Sequence, residues 1–228
     1  MKGTFTLRRI FPQLKDADLL TIQDTASIMK VRKSQNLFIA GDSPRAIYAV
    51  ANGCIKIIRE GLEGETVITR IVRPGQILGL REVIGEFKYS RTAVALKDSE
   101  VFSIDSHSVS SMVQNYPSIS IQFMKIFCNE LARMEVRIES DLYHSAKSRV
   151  SSVIYELHTI FADTPAEDNK IIFTPPLNRR DIAELADVTP ETVSRVISDL
   201  RSAQIIETHG AAFHIQDINA LLIEAEDH

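Results

Sequence analysis

Glu191, Thr192, Ser194, Arg195 and Ser198 are interleaved with Val193, Val196, Ile197 and Leu200, and the apolar set repeats at helical spacing. With the apolar face turned inward, the outward face carries a carboxylate, a guanidinium and hydroxyls. That set suits the edge of a base pair in the major groove of DNA. Arg195 can donate two hydrogen bonds to guanine O6 and N7, Glu191 can accept from the cytosine amino group, and Thr192, Ser194 and Ser198 allow close approach. Any surface helix also has a polar face, so periodicity alone leaves a solvated helix pair as an alternative.

Two short helices must position this face. Thr189 can cap the second helix, and Pro190 suits its first position, where a missing N–H costs nothing. Upstream, Asn178 can cap a first helix, Asp181 brings negative charge to its positive end, and Ile182, Leu185 and Ala186 form its apolar face. Residues 178–199 therefore read as a helix-turn-helix. The run Asn-Arg-Arg-Asp-Ile-Ala, followed by Val-Thr-Pro-Glu-Thr-Val-Ser-Arg-Val, resembles the helix-turn-helix of the Crp/Fnr family of bacterial transcription regulators. One departure is Asp187, at a turn position that is usually glycine in that family; Asp tolerates a left-handed backbone better than most residues.

Before this motif, residues 29–109 read as short β-rich runs at 37–39, 46–50, 54–58, 66–72, 92–96 and 101–104, punctuated by Gly41, Gly53, Gly61, Gly64, Gly75, Gly79 and Gly85. Such spacing predicts an antiparallel sandwich or barrel. Residues 11–28 predict one or two short helices. The glycines, with Ile-Tyr-Ala-Val-Ala-Asn-Gly and Val-Arg-Pro-Gly-Gln-Ile-Leu-Gly, resemble the cyclic nucleotide-binding β-roll of the same family. In cAMP-binding relatives a Gly-Glu pair takes the ribose and an Arg-Ser pair takes the phosphate. The corresponding residues here are Gly79-Leu80 and Arg91-Thr92, a possible effector pocket that lacks the ribose carboxylate. The Thr-Ser pair that closes the relatives' pocket is also missing, since the long helix reads Leu131-Ala132-Arg133-Met134-Glu135 there. Little response to cAMP is expected.

The stretch from 117 to about 142 holds no Gly or Pro after Pro117, and Phe127, Leu131, Met134 and Ile138 alternate steps of four and three. That spacing predicts a coiled-coil seam, with an amphipathic helix packed on its own roll as the alternative; the resemblance makes it the dimer helix. A further helix over 145–161, a loop over 163–169, and short strands at 170–173, 205–207 and 212–215 complete a winged helix-turn-helix. The expected fold is α+β: an N-terminal antiparallel β-roll (1–116), a dimerisation helix (117–143) and a C-terminal winged helix-turn-helix (144–228).

Composition narrows the function. The net charge is −4, and residues 145–203 hold 7 basic against 9 acidic side chains, so any phosphate contact depends on how charge is arranged. Arg179, Thr189 and Thr192 are the expected phosphate contacts; Glu191, Ser194 and Arg195 are the expected base readers. No apolar run approaches a membrane span, and no signal-peptide core follows Met1-Lys2-Gly3-Thr4, so a cytoplasmic protein is expected. Cys54 and Cys128 have no metal-ligand spacing and read as small packed hydrophobes, although a redox role for either stays open. The six histidines show no ligand pairing save His209 with His214, read as solvated wing residues. No cofactor, metal or catalysis is expected. The resemblance implies double-stranded DNA, a second copy of the chain and RNA polymerase as partners, with an effector that is unidentified or absent. Its Glu-x-x-Ser-Arg pattern implies half-sites of the form TTGAT facing ATCAA. The rival reading is a cyclic-nucleotide-responsive module whose C-terminal helices bind protein.

Overall fold

The computed structural model describes residues 7–8, 10–61, 66–162 and 171–226. Met1 to Thr4, Gly64, the loop expected over 163–169, Lys170 and His228 lie outside them. The chain divides into two compact units, Met1–Arg133 and Met134–His228.

The first unit runs α1 (Asp16–Thr25), β1 (Ser27–Val31), β2 (Asn36–Phe38), β3 (Ala46–Glu60), β4 (Thr66–Val72), β5 (Ile77–Leu78), α2 (Leu80–Gly85), β6 (Thr92–Asp105) and α3 (Ser106–Asn115). The antiparallel sheet has the order β1-β6-β3-β4, with β2 on β6 and β5 on β3. Because side chains alternate along a strand, β3 and β6 feed two cores. Val50, Ile55, Ile57, Ala93, Ala95 and Val101 fill one. Ile47, Ala49, Phe102 and Ile104 face the second, which Phe11, Leu19, Val109 and Met112 close.

Several sequence expectations change here. The runs at 46–50 and 54–58 are one strand, bent by register shifts between Val50 and Ile55. Gly53 sits in that bend at φ 96, and a Cβ there would lie 2.1 Å from Ser99 Oγ. The runs at 92–96 and 101–104 likewise join as β6. Ser27 and Ile28 belong to β1 rather than to a helix, and Ser106 to Val109 open α3 rather than continuing a strand. Asp105 caps α3 by accepting from the Ser108 hydroxyl at 2.6 Å and its N–H at 2.9 Å, which holds the Asp105 carboxyl below the usual carboxylate range.

Helix α4 (Pro117–Tyr143) begins in the first unit and ends in the second. Ile119 and Phe123 are buried in the second core, and Phe127 packs partly against it. Leu131, Met134 and Ile138 are 60%, 60% and 57% exposed. The predicted seam therefore splits, with Phe127 taken by the roll and the other three left bare. Glu130 ties this helix to β4, accepting from Arg70 at 2.5 and 3.0 Å.

The second unit continues with α5 (Ala146–Phe161), β7 (Ile171–Phe173), α6 (Arg179–Ala186), α7 (Pro190–Ser202), β8 (Ile206–His209), β9 (Ala212–Ile215) and α8 (Ile218–Glu226). The sheet order is β7-β9-β8. Strand β8 extends to His209, two residues beyond expectation, and α8 was not expected at all. Ser148 and Ser152 hold α8 on α5 by donating to the Ala225 carbonyl at 2.7 and 3.0 Å.

Candidate nucleic-acid interface

Local chemistry fixes both helices of the motif. Asn178 accepts the Asp181 N–H at 3.0 Å while Asp181 accepts the Asn178 N–H at 2.7 Å, a reciprocal capping box. Helix α6 ends at Asp187 in the left-handed region, φ 51 and ψ 53. Two residues later Thr189 accepts the Thr192 N–H at 3.3 Å, and Pro190 opens α7. Val193, Val196, Ile197 and Leu200 are all buried, as their spacing predicts. In α6 the buried residues are Ile182, Ala183 and Ala186. Leu185 is only half-buried, so Ala183 replaces it on the packed face.

The turn has support that the sequence did not reveal. Arg149 of α5 donates to the carbonyls of Ala186 at 3.0 Å and Asp187 at 3.2 Å, and Arg137 donates to Leu185 at 3.3 Å. Both cations sit at the negative end of the α6 dipole and satisfy its free carbonyls. Only a basic residue facing a helix C-terminus could have signalled this, and the sequence does not show which basic residue faces it.

On the outward face Glu191, Ser194, Arg195 and Ser198 are exposed. The Glu191 carboxyl is held below its usual range by its own backbone N–H and by the Thr189 hydroxyl, which keeps it an acceptor. Ser194 donates to the Pro190 carbonyl at 3.0 Å and retains lone pairs toward solvent. Arg195 makes no hydrogen bond or ion pair among the described residues.

The expected phosphate contacts are placed differently from one another. Thr189 and Thr192 share a hydroxyl pair of 3.2 Å at the start of α7, where the Thr192 N–H is taken by the Thr189 hydroxyl and the Glu191 N–H by its own carboxylate. Arg179 instead lies with its guanidinium carbon 5.2 Å from the centre of the Phe213 ring of β9. Its Nη1 is buried without a partner among the described residues, so only its other N–H groups can face a ligand. Burial, and then the neighbouring Arg201 charge, push its pKa down. Between the end of α7 and β8 an open groove of about 780 Å³ is lined by Ser198, Arg201, Ser202, Gln204, Glu207 and His209.

In the roll, the four residues of the expected effector pocket do not present one polar surface. Leu80 is 4% exposed and belongs to the second core with Val83 and Phe102. The Thr92 hydroxyl accepts the Ala40 N–H at 3.0 Å, and Arg91 is exposed. Gly79 has φ 79, and a Cβ there would come within 3.0 Å of the Ala46 carbonyl and 3.5 Å of Tyr89. The left-handed backbone, with that close approach, accounts for the glycine. Tyr89 donates to the same carbonyl at 3.0 Å and stacks on Phe38 at 3.9 Å, and burial pushes its pKa up. Cys54 is buried as expected, its thiol pushed up to about 12 by burial, whereas Cys128 is exposed and not a packed hydrophobe.

Comparison with known proteins covers both units. The family described as "Cyclic nucleotide-binding domain" matches residues 28–116, and the "Crp-like helix-turn-helix domain" matches residues 148–222. The chain is 28% identical over 192 residues to the "Anaerobic regulatory protein" of Pasteurella multocida (strain Pm70), covering 84% of this chain and 69% of that protein. It is 27% identical over 180 residues to the "Fumarate and nitrate reduction regulatory protein" of Vibrio cholerae, covering 79% and 71%. Among solved structures, FixK2 from Bradyrhizobium japonicum shares the fold with a TM-score of 0.76 at 20% identity, over 89% of this chain and 98% of that one. A transcriptional regulator of the CRP/FNR family from Thermus thermophilus has a TM-score of 0.75 at 20% identity, over 88% and 99%.

Proposed function

The chain belongs to the Crp/Fnr family of DNA-binding transcription regulators, and from that premise we propose that it reads a palindromic site with half-sites TTGAT facing ATCAA as a homodimer. It is not an enzyme. The observation that carries the reading is the free state of Arg195. Glu191 and Arg195 stand at i and i+4, where opposite charges commonly pair, yet they make no ion pair. Both remain available to one G·C pair, Arg195 to the guanine and Glu191 to the cytosine on the other strand. Ser194 then meets the neighbouring thymine. Thr189, Thr192 and the outer N–H groups of Arg179 take phosphates.

The bare stripe of Leu131, Met134 and Ile138 supports pairing through α4. Two reading helices related by a two-fold axis then address half-sites about 34 Å apart. RNA polymerase follows as a partner from the regulator role, and a cytoplasmic location from reading DNA; no described helix is long and apolar enough to cross a membrane. The effector reading is that cAMP has little effect, because Leu80 offers no ribose acceptor and lies in the core. Calorimetry with cAMP checks this, and micromolar binding would sink it. Selection from randomised duplexes with the full chain tests the base assignment: half-sites carrying the G·C pair are expected, and half-sites without it would overturn it.

A further inference from the structure

The outer face of the wing gathers ligand chemistry that base reading does not use. Glu207 and His209 are the exposed residues of β8, two apart along the strand, and so project to one face of the ribbon, opposite to buried Ile206 and half-buried Thr208. The register sets His214 of β9 directly opposite Glu207, on the same face. Ile206, Phe213 and Ile215 point the other way and are buried. His209 Nε2 lies 3.5 Å from a Glu207 oxygen, and the His209 and His214 ring centroids are 4.6 Å apart. One ligand atom from each of the three side chains falls within 4.8 Å of the others, and no other such group of three occurs among the described residues. The turn between them, with Gly210 at φ 61, holds the two strands in register.

Bonds from Zn²⁺ to imidazole nitrogen or carboxylate oxygen are about 2.0–2.2 Å long, which places the ligand atoms of a tetrahedral site about 3.3 Å apart. The Glu207–His209 separation of 3.5 Å already meets this. The remaining gap closes by side-chain rotation, which Glu207 and His209 are free to make, being 57% and 65% exposed. Two imidazoles and a carboxylate suit a borderline transition-metal ion, whereas Mg²⁺ and Ca²⁺ want oxygen ligands throughout.

We propose that Glu207, His209 and His214 bind one divalent transition-metal ion of the Zn²⁺ class on the wing. Three protein ligands leave a fourth position open to water or to an incoming oxygen. Bridging β8 and β9, the ion clamps the tip of the hairpin. It also replaces the negative charge of Glu207 with a net positive one at the rim of the groove that runs to Arg201. This consequence rests on the DNA-binding reading: a positive wing with an open coordination position attracts a phosphate oxygen, so the metal should tighten duplex binding.

The test uses the full chain without a polyhistidine tag. Titration calorimetry with Zn²⁺, and Co²⁺ absorbance as a report of coordination, should give one site per chain. His209→Ala and His214→Gln should weaken it by about tenfold or more, since even the partners that orient metal ligands are worth that much. His107→Ala, at an exposed histidine of α3, should change nothing. Absence of a site in the wild type, or equal affinity in His209→Ala, overturns the proposal. Gel shifts with Zn²⁺ against a chelator form the second arm, and wild type alone should gain duplex affinity with metal. Metal binding without that gain overturns the coupling, whereas a chain that binds no duplex in either condition overturns the DNA-site reading and leaves the titration to judge the metal site.

Discussion

The polar face of α7 and the expected pocket of the roll began as equivalent lists of residues, and the fold treats them in opposite ways. In α7 the packing is done by Val193, Val196, Ile197 and Leu200, and Glu191, Ser194 and Arg195 are left to solvent. In the roll, Leu80 is part of the core, Thr92 is engaged by a backbone N–H, and Gly79 is required by its left-handed backbone. A recognition surface has to keep donors or acceptors facing solvent: Arg195 has no partner among the described residues, and Glu191 and Ser194 keep lone pairs beside the bonds they make. By that criterion the face of α7 fits the reading role proposed for it. Three of the four roll positions have been absorbed into structure, and Arg91 alone of them stays exposed. The stripe on α4 is the apolar counterpart of the α7 face, exposed where the same helix could have packed.

If the bare stripe is reserved for a second copy, breaking it should have the largest effect of any single change. Met134→Asp puts a charge beside its own symmetry mate in an apolar interface and should dissociate the dimer. Losing the tether between half-sites should then lower palindrome affinity by about a hundredfold or more. Sedimentation and gel shift measure both, and an intact Met134→Asp dimer would place the seam elsewhere.

The absorbed state of the roll is tested next by Leu80→Glu. Placing a carboxyl among Val83, Phe102 and Ile104 should cost about 3 kcal/mol or more in urea unfolding, from lost burial and an unsatisfied polar group. It should not create cAMP affinity. A stable Leu80→Glu protein that binds cAMP would mean that position 80 faces a working pocket.

Within the reading face the comparison sharpens between two arginines. Arg195→Ala should cost about 1–3 kcal/mol on the palindrome and flatten the preference for guanine at its position. Arg179→Ala should weaken all duplexes alike and lower the salt slope by about 1. Because Arg179 also covers Phe213 with a partly buried guanidinium, its loss should lower thermal stability as well, which Arg195→Ala should not do. A guanine preference that survives Arg195→Ala would overturn the reading assignment.

How legible this was in the sequence depends on how local each signal is. The caps at Asn178 and Thr189, Pro190 and the apolar spacing of α7 act within a few residues, so they could be read directly. The bends that fuse β3 and β6 into long strands depend on a cross-strand meeting of Gly53 with Ser99. Strand β1 buries only Val31 and so shows no alternation to read. Arg149 and Arg137 cap α6 from other helices, and a tertiary contact of that kind leaves no spacing signal. The cluster of Glu207, His209 and His214 depends on a register that only the folded hairpin fixes.

The smallest expected effect concerns the turn that carries α7. Asp187 holds φ 51, and Asp reaches the left-handed region at a lower cost than a β-branched residue because its short polar side chain can bond locally. Glycine would remove that strain but would also free the unfolded chain, a loss of about 0.4–1 kcal/mol. The two terms oppose each other, so Asp187→Gly should change stability by less than about 0.5 kcal/mol. The bonds from Arg149 and the cap from Val188 N–H to the Ala183 carbonyl at 3.0 Å involve backbone atoms or other side chains, and glycine keeps them. Asp187→Val keeps the same backbone acceptors but cannot adopt the conformation cheaply, and should lose at least about 1 kcal/mol and some duplex affinity as α7 shifts. Thermal unfolding of the pair separates the terms: if valine were tolerated as well as glycine, the backbone at Asp187 would not be what sets the angle between the two helices.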